Sequence, residues 1–145
     1  NGEYIVRPEK PGKAMITVSI KGKTIQQSQF RVKTVPDPVA AIKTSNGYFF
    51  GGEITKDELL AADGITAVMK YFDFDLSFDI VEFTVLYVIQ GFVSESISRT
   101  DKFTDKQKDM IKSLKSGSNL YIQDIKCKGP DGKLRNLGTI YFKLK

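Results

Sequence analysis

The residues able to do chemistry are few, and one type is missing altogether. The chain has no histidine, which removes the commonest general base and the commonest metal ligand and excludes every triad built on imidazole. A single thiol, Cys127, stands between Lys126 and Lys128 in strand-like sequence. With no imidazole to activate it, it reads as a lone thiol on a strand rather than as a nucleophile. Carboxylates cluster once, at Asp73, Asp75, Asp79 and Glu82. Paired acids or a calcium loop would draw on such a series. A calcium loop, however, needs closely spaced oxygen ligands around a mid-loop glycine, and Phe74, Leu76 and Phe78 occupy those places. Gly51-Gly52 lacks the Gly-Lys-Ser/Thr that follows in a phosphate loop and reads as a turn. The chain is therefore expected to be no enzyme, with no catalytic residue, no cofactor site and no metal site.

Composition narrows the class further. The 145 residues are 41% hydrophobic and 27% charged, a balance that builds a packed core in one domain, or in one domain plus part of another. No apolar run approaches the roughly 18 residues that span a bilayer. The chain opens at Asn1 in strand-like sequence, and the expectation is a piece of something longer, with any signal or anchor upstream. One cysteine makes no internal disulfide, so composition leaves the compartment open. The net charge of +5 is unevenly spread. Residues 1–38 hold Arg7, Lys10, Lys13, Lys21, Lys23, Arg31 and Lys33 against Glu3, Glu9 and Asp37. These cations alternate with apolar residues, as on a solvated sheet face, and no stacking aromatics interleave them, so nucleic acid is not an expected partner.

The elements follow from periodicity. Ala14, Ile16, Val18 and Ile20 share one face of a strand over 14–20, and Lys21-Gly22-Lys23 links it to a second strand from about Thr24 to Val35. Tyr4-Ile5-Val6 is a third short strand ahead of Pro8 and Pro11-Gly12. Pro36-Asp37-Pro38 cannot continue a central strand and marks a domain boundary. Val39–Ile42 is extended, and Ser45–Gly52 is a glycine-flanked loop carrying Tyr48, Phe49 and Phe50, read as a core plug or an interface patch. Thr55 and Glu58 form a capping box with Ile54 and Leu59 at staple spacing, so a helix runs from Lys56 to Ala62 and stops at Gly64.

Phe72, Phe74, Leu76, Phe78 and Ile80 recur at period two opposite an acidic face, which predicts a strand. Beyond Glu82 the parity flips to Phe83, Val85, Tyr87 and Ile89, with Leu86 and Val88 on the other side; a bulge near Val81-Glu82, or passage from a solvated edge to a two-sided core, accounts for the change. A strand over 92–98 follows. Thr104 and Gln107 then open a second helix that buries Met110, Ile111 and Leu114, keeps Lys106, Lys108, Lys112 and Lys115 outside, and ends at Gly117. Leu120–Lys128, a Pro130-Asp131-Gly132 hairpin turn and a closing strand over Leu137–Leu144 complete the chain. The fold class is mainly β: residues 1–35 are the last strands of an immunoglobulin-like β-sandwich, 36–38 a proline-rich joint, and 39–145 a β-rich domain with two short helices.

Several ordered segments of this second module resemble one family. Val35-Pro36-Asp37-Pro38-Val39-Ala40, Thr55–Ala62, Phe72-Asp73-Phe74-Asp75-Leu76, Phe103–Leu114 and Ile125–Gly132 together are similar to the C-terminal periplasmic region of the GldM/PorM family. The likeness covers residues 35–145. Pro11-Gly12-Lys13-Ala14 running into Ile16-Thr17-Val18 looks like the end of the immunoglobulin-like domain that such proteins carry upstream.

The resemblance implies a non-catalytic module of the type IX secretion and gliding machinery of Bacteroidetes, located in the periplasm. It implies a homodimer anchored in the inner membrane by a segment not present here. That arm would couple a proton-driven inner-membrane motor of the GldL/PorL type, met through the absent N-terminal part, to an outer-membrane-associated ring of the GldK/GldN or PorK/PorN type. It supplies no catalytic residue. The residues proposed for ring contact are Tyr48, Phe49 and Phe50 of the aromatic loop and Lys108, Lys112 and Lys115 of the second helix. The rival reading is a secreted adhesion or carbohydrate-binding β-sandwich module. Against it stand the absence of tryptophan and the scatter of the tyrosines.

Overall fold

The computed structural model describes residues 2–72, 76–89 and 91–145. The chain divides into two compact units, Asn1–Pro36 and Asp37–Lys145. Strand accounts for 52% and helix for 11%, so the protein is mainly β, as its periodicity predicts.

The first unit is one antiparallel hairpin, β1 (Gly12–Ile20) with β2 (Lys23–Val32). Lys21 and Gly22 both take positive φ, 47° and 77°, the two-residue turn whose twist matches the flanking strands. The register shifts between Val18 and Ser19. Ala14 and Ile16 are half-buried, but Val18, Ile20 and Phe30 are exposed, so the apolar face is more open than the expected half-buried strand. Tyr4, Ile5 and Val6 form no strand; all three stand in solvent, with no ladder partner to hold them extended. β2 also stops at Val32, short of the expected Val35.

In the second unit, β3 (Val39–Thr44) is the middle strand of a three-stranded sheet, between β4 (Gly47–Phe49) and β6 (Thr66–Val68). Ala40, Ala41 and Ile42 are buried in succession, as a strand covered on both faces requires. The expected aromatic loop is therefore largely strand. Thr44 and Gly47 close a hairpin in which the Asn46 N–H donates to Thr44 Oγ1 at 3.1 Å, and the Asn-Gly pair was the overlooked signal. Gly51 then carries the chain to the other sheet. Its φ is +134° and a Cβ there would lie 3.0 Å from the Tyr141 carbonyl, so only glycine passes without strain.

The larger sheet has six strands. β5 (Gly52–Ile54) runs parallel to β11 (Ile140–Leu144), followed across the sheet by β9 (Asn119–Lys128), β7 (Asp79–Ile89) and β8 (Phe92–Ser98). β10 (Leu134–Leu137) pairs with the C-terminal half of β9, on the edge whose N-terminal half carries β11. The expected single closing strand is thus two. Asp124 takes φ 51° and flips the parity of β9, from Leu120 and Ile122 buried to Ile125 and Cys127 buried, so one straight neighbour cannot pair with both halves.

β7 begins at Asp79, so Leu76–Phe78 lie outside any strand, contrary to the strand expected from Phe72; Asp73, Phe74 and Asp75 lie outside the described residues. The alternation nevertheless persists, with Phe78 and Ile80 buried and Ser77 and Asp79 exposed. The register shifts on both sides of Glu82, which is the bulge that the parity change requires.

Two helices cover the inner face. α1 (Lys56–Ala61) has the capping box of Thr55 and Glu58, with Ile54 and Leu59 both buried. It stops one turn before Gly64: Asp63 takes the left-handed φ of 60°. Gly64 serves a different need, since a Cβ there would sit 2.1 Å from the Asp101 carbonyl. That close approach lets Ile65 N–H donate to Asp101 O and Phe103 N–H to Asp63 O, both at 2.8 Å. α2 (Asp105–Ser113) buries Met110 and Ile111, followed by Leu114. Phe103, just before it, meets Phe83 of β7 edge-on at 5.6 Å.

Gln107 is fully buried because both ends of its amide are used. Oε1 accepts from the Thr104 N–H at 3.0 Å, and Nε2 donates to the Ser96 carbonyl of β8 at 2.7 Å. Gln107→Leu keeps the volume and strands both partners, so the free energy of unfolding in urea should fall by about 2–3 kcal/mol. A loss below about 0.5 kcal/mol would show that the amide does not tie α2 to the sheet.

Candidate functional site

Of the residues first considered for chemistry, Asp73 and Asp75 lie outside the described residues, and the others are held apart or already engaged. Asp79 is exposed at the first position of β7, opposite Lys128. Glu82 accepts from Lys126 Nζ at 2.7 Å, with Arg99 at 3.9 Å. Among the described residues, no group of three or more His, Cys, Asp or Glu side chains could hold a metal ion. Cys127 is buried in β9 opposite Arg135. Burial pushes its thiol pKa up, away from the thiolate that chemistry requires.

The residues proposed for contact are also dispersed. Tyr48 is exposed on β4 with Lys43 Nζ 5.9 Å from its ring. Phe49 is half-buried and faces the opposite way by strand alternation. Phe50 is half-buried with Lys70 Nζ 3.4 Å from its ring centre. Lys108 is ion-paired with Asp63, which Lys102 also holds at 3.1 Å. Lys112 is exposed beside Asp109, and Lys115 is exposed beyond the helix end.

A larger feature carries no single motif. Cross-strand registers place Leu86 of β7 beside Glu95 of β8 and Tyr121 of β9, and Tyr121 beside Tyr141 of β11. These side chains share the face of the six-stranded sheet opposite Phe83, Val85, Ile122 and Phe142. At one end of this outer face the charges are paired across strands, Glu82 with Lys126 and Arg99. At the other end the surface is apolar. Val93 is 65% exposed, Ile97 53%, Val88 42% and Tyr141 41%, and Tyr121 and Tyr141 pack with ring centroids 5.2 Å apart. The legible signal was Leu86 and Val88 alternating with the core residues of β7, which demands that both sides of the strand be covered. Among the described residues of this unit, Leu86 is only partly covered and Val88 is exposed.

A second engaged cluster lies where the unit begins. Arg135, almost wholly covered, donates from Nε to Asp37 at 3.0 Å and from Nη1 and Nη2 to both oxygens of Asp131. Its guanidinium also lies 5.3 Å from the Phe78 ring. The first residue of the unit is thus bound to a strand of the large sheet.

Residues 36–145 match the family described as the GldM C-terminal domain. The chain belongs to that family. GldM C-terminal domains are parts of the gliding and type IX secretion machinery, a structural role, and are periplasmic in the family. No helix among the described residues is long and apolar enough to cross a membrane. No curated protein matches the chain.

Four carboxylates of this GldM domain are held below the usual carboxylate range: Asp63 by its hydrogen bond from Lys108, Asp131 by Arg135, Glu82 by Lys126 and Glu58 by Thr55. A carboxyl with a depressed folded pKa binds fewer protons folded than unfolded. It therefore contributes stability above its unfolded pKa, and that contribution is lost as the pH falls through the folded value. The urea midpoint should be flat from about pH 7 to pH 5 and fall below about pH 4. Asp63→Asn should make the acid limb shallower; an unchanged limb would mean that the Lys108 and Lys102 contacts do not couple to folding.

Proposed function

We propose that this domain is a non-catalytic interaction module at the outer end of a periplasmic arm. In this reading the arm is anchored in the inner membrane elsewhere in the protein, works as a homodimer, and couples a proton-driven motor to the outer-membrane-associated ring of the type IX system. The observation that carries the reading is membership of the GldM C-terminal domain family over residues 36–145. Residues 1–35 are read as the last strands of an immunoglobulin-like domain, and their open apolar hairpin supports that, because two strands alone are marginal in water.

A module that transmits force needs a stiff attachment and a ladder of many backbone bonds. Pro36 and Pro38 restrict the backbone on either side of Asp37, and Asp37 is pinned to Arg135 at 3.0 Å. Load arriving along the chain at Asp37 passes into β10 and hence into β9, the strand that pairs with three others.

Affinity capture tests the reading, with the 145-residue chain as bait in a periplasmic extract of a bacterium that has a type IX system. Recovery of ring proteins of the GldK/GldN or PorK/PorN type is expected. Recovery of glycans alone, or of no protein at any salt concentration, would sink it.

A further inference from the structure

We propose that Asn46 is a site of non-enzymatic modification, at which the Gly47 backbone nitrogen attacks the Asn46 side chain and expels its amide as ammonia. Glu58 of α1 restrains that attack, and its contact with Asn46 is what the reaction destroys.

The dipeptide supplies the chemistry. When glycine follows asparagine, no side chain shields the attacking nitrogen, and the backbone reaches conformations closed to other residues. Asn46 is exposed at the tip of the β3–β4 hairpin, and a Cβ at Gly47 would meet nothing within 4 Å. Asn119 and Asn136 precede leucine instead, and Asn1 is the one other asparagine before a glycine. Hydroxide removes the Gly47 amide proton, the nitrogen bonds to Asn46 Cγ, and the Cγ–Nδ2 bond breaks. Nδ2 takes a proton from water and leaves as ammonia, and a five-membered succinimide remains. One water then opens the ring at either carbonyl. The products are aspartate and isoaspartate, the second with the main chain rerouted through the side-chain carbonyl.

The neighbour sets the rate and the consequence. Asn46 Nδ2 donates to Glu58 Oε1 at 3.1 Å, while Glu58 Oε2 accepts from the Thr55 N–H at 3.0 Å and from Thr55 Oγ1 at 2.7 Å. One carboxylate thus closes the cap of α1 and ties the hairpin to it. The bonds from Thr55 and Asn46 hold this carboxyl below its ordinary range, so it is ionised at neutral pH. It slows the attack in two ways. Its hydrogen bond limits rotation of the Asn46 amide, and its charge opposes both the anion formed at the Gly47 nitrogen and the oxyanion formed at Cγ. The turn adds a brake, since Thr44 Oγ1 accepts from the Asn46 N–H at 3.1 Å and donates to the Gly47 carbonyl at 3.3 Å, so attack waits on local opening. Afterwards a carboxylate stands where the donor stood. Two like charges then face each other across a former hydrogen bond, and the hairpin is driven off the start of α1.

Tryptic mapping by mass spectrometry on the 145-residue chain, kept warm in mildly alkaline buffer, is the test; Asn46 and Asn1 fall on different peptides. The peptide carrying Asn46 should gain one mass unit and split into aspartyl and isoaspartyl forms, more slowly than a synthetic peptide of residues 43–50 in the same buffer. Glu58→Gln keeps a capping box of the kind that Gln107 makes in α2 and removes the charge, so Asn46 should convert about three- to tenfold faster. Asn46→Asp reproduces one product and should lower the urea midpoint by about 0.3 M at neutral pH. Adding Glu58→Gln to that variant should restore the midpoint, because the new carboxylate then accepts from an amide. If neither the wild type nor Glu58→Gln is modified by the time the peptide has fully converted, the site is overturned. Equal rates in those two chains would overturn the restraint by Glu58. An unchanged midpoint in Asn46→Asp, or one that Glu58→Gln does not restore, would overturn the coupling to α1.

Discussion

The C-terminal unit depends on one strand. β9 is the strand against which β7, β10 and β11 all form their ladders, and the left-handed residue Asp124 at its middle decides which of its side chains point inward. An isolated positive φ at a non-glycine residue costs of order 1–3 kcal/mol. That cost is offset because both halves of the strand then bury apolar side chains, each fully covered Leu or Ile contributing about 1.5–3 kcal/mol. The kink splits the neighbouring edge into β10 and β11. It thereby places Arg135 on β10, opposite Cys127 and within reach of Asp37.

Polar groups hold what the core cannot. Gly64, Asp63 and Asp101 form a corner where two loops approach closely enough to exchange backbone hydrogen bonds, and Lys102 and Lys108 neutralise its carboxylate. Gln107 joins the start of α2 to β8. These side chains are of the types that populate catalytic sites, but each is occupied in fixing one element to another. Exposed apolar side chains gather instead on the outer face of the large sheet, at Val88, Val93, Ile97 and Tyr141.

How much was legible in the sequence varied with the range of the interaction that decides each feature. Both capping boxes and the inward-facing Ile140, Phe142 and Leu144 could be read directly, because they depend on residues a few positions apart, while the parity change at Val81-Glu82 left a bulge and a change of burial as equal readings that only the ladder separates. Tyr4–Val6 misled because a β-prone tripeptide is a strand only if another strand bonds to it. The division of β10 from β11 was hidden because its cause sits at Asp124, on a different strand. Gly64 looked like a helix stop, and its real constraint is the carbonyl of a residue far along the chain. A ring beneath a lysine or an ammonium on a distant aspartate has no local signature either, and the open sheet face emerges only when four strands are placed side by side.

The parallel pairing of β5 with β11 has a consequence for how the domain forms. β5 lies early in the unit, yet its hydrogen-bonding partner is the last strand, and Lys145 N–H closes on the Ile54 carbonyl. Contacts so distant in sequence form late, because loop-closure entropy must be overcome before they reward the chain. A polypeptide fed progressively across a barrier therefore cannot complete this sheet until β11 has emerged, although its local hairpins β1–β2 and β7–β8 need no such wait.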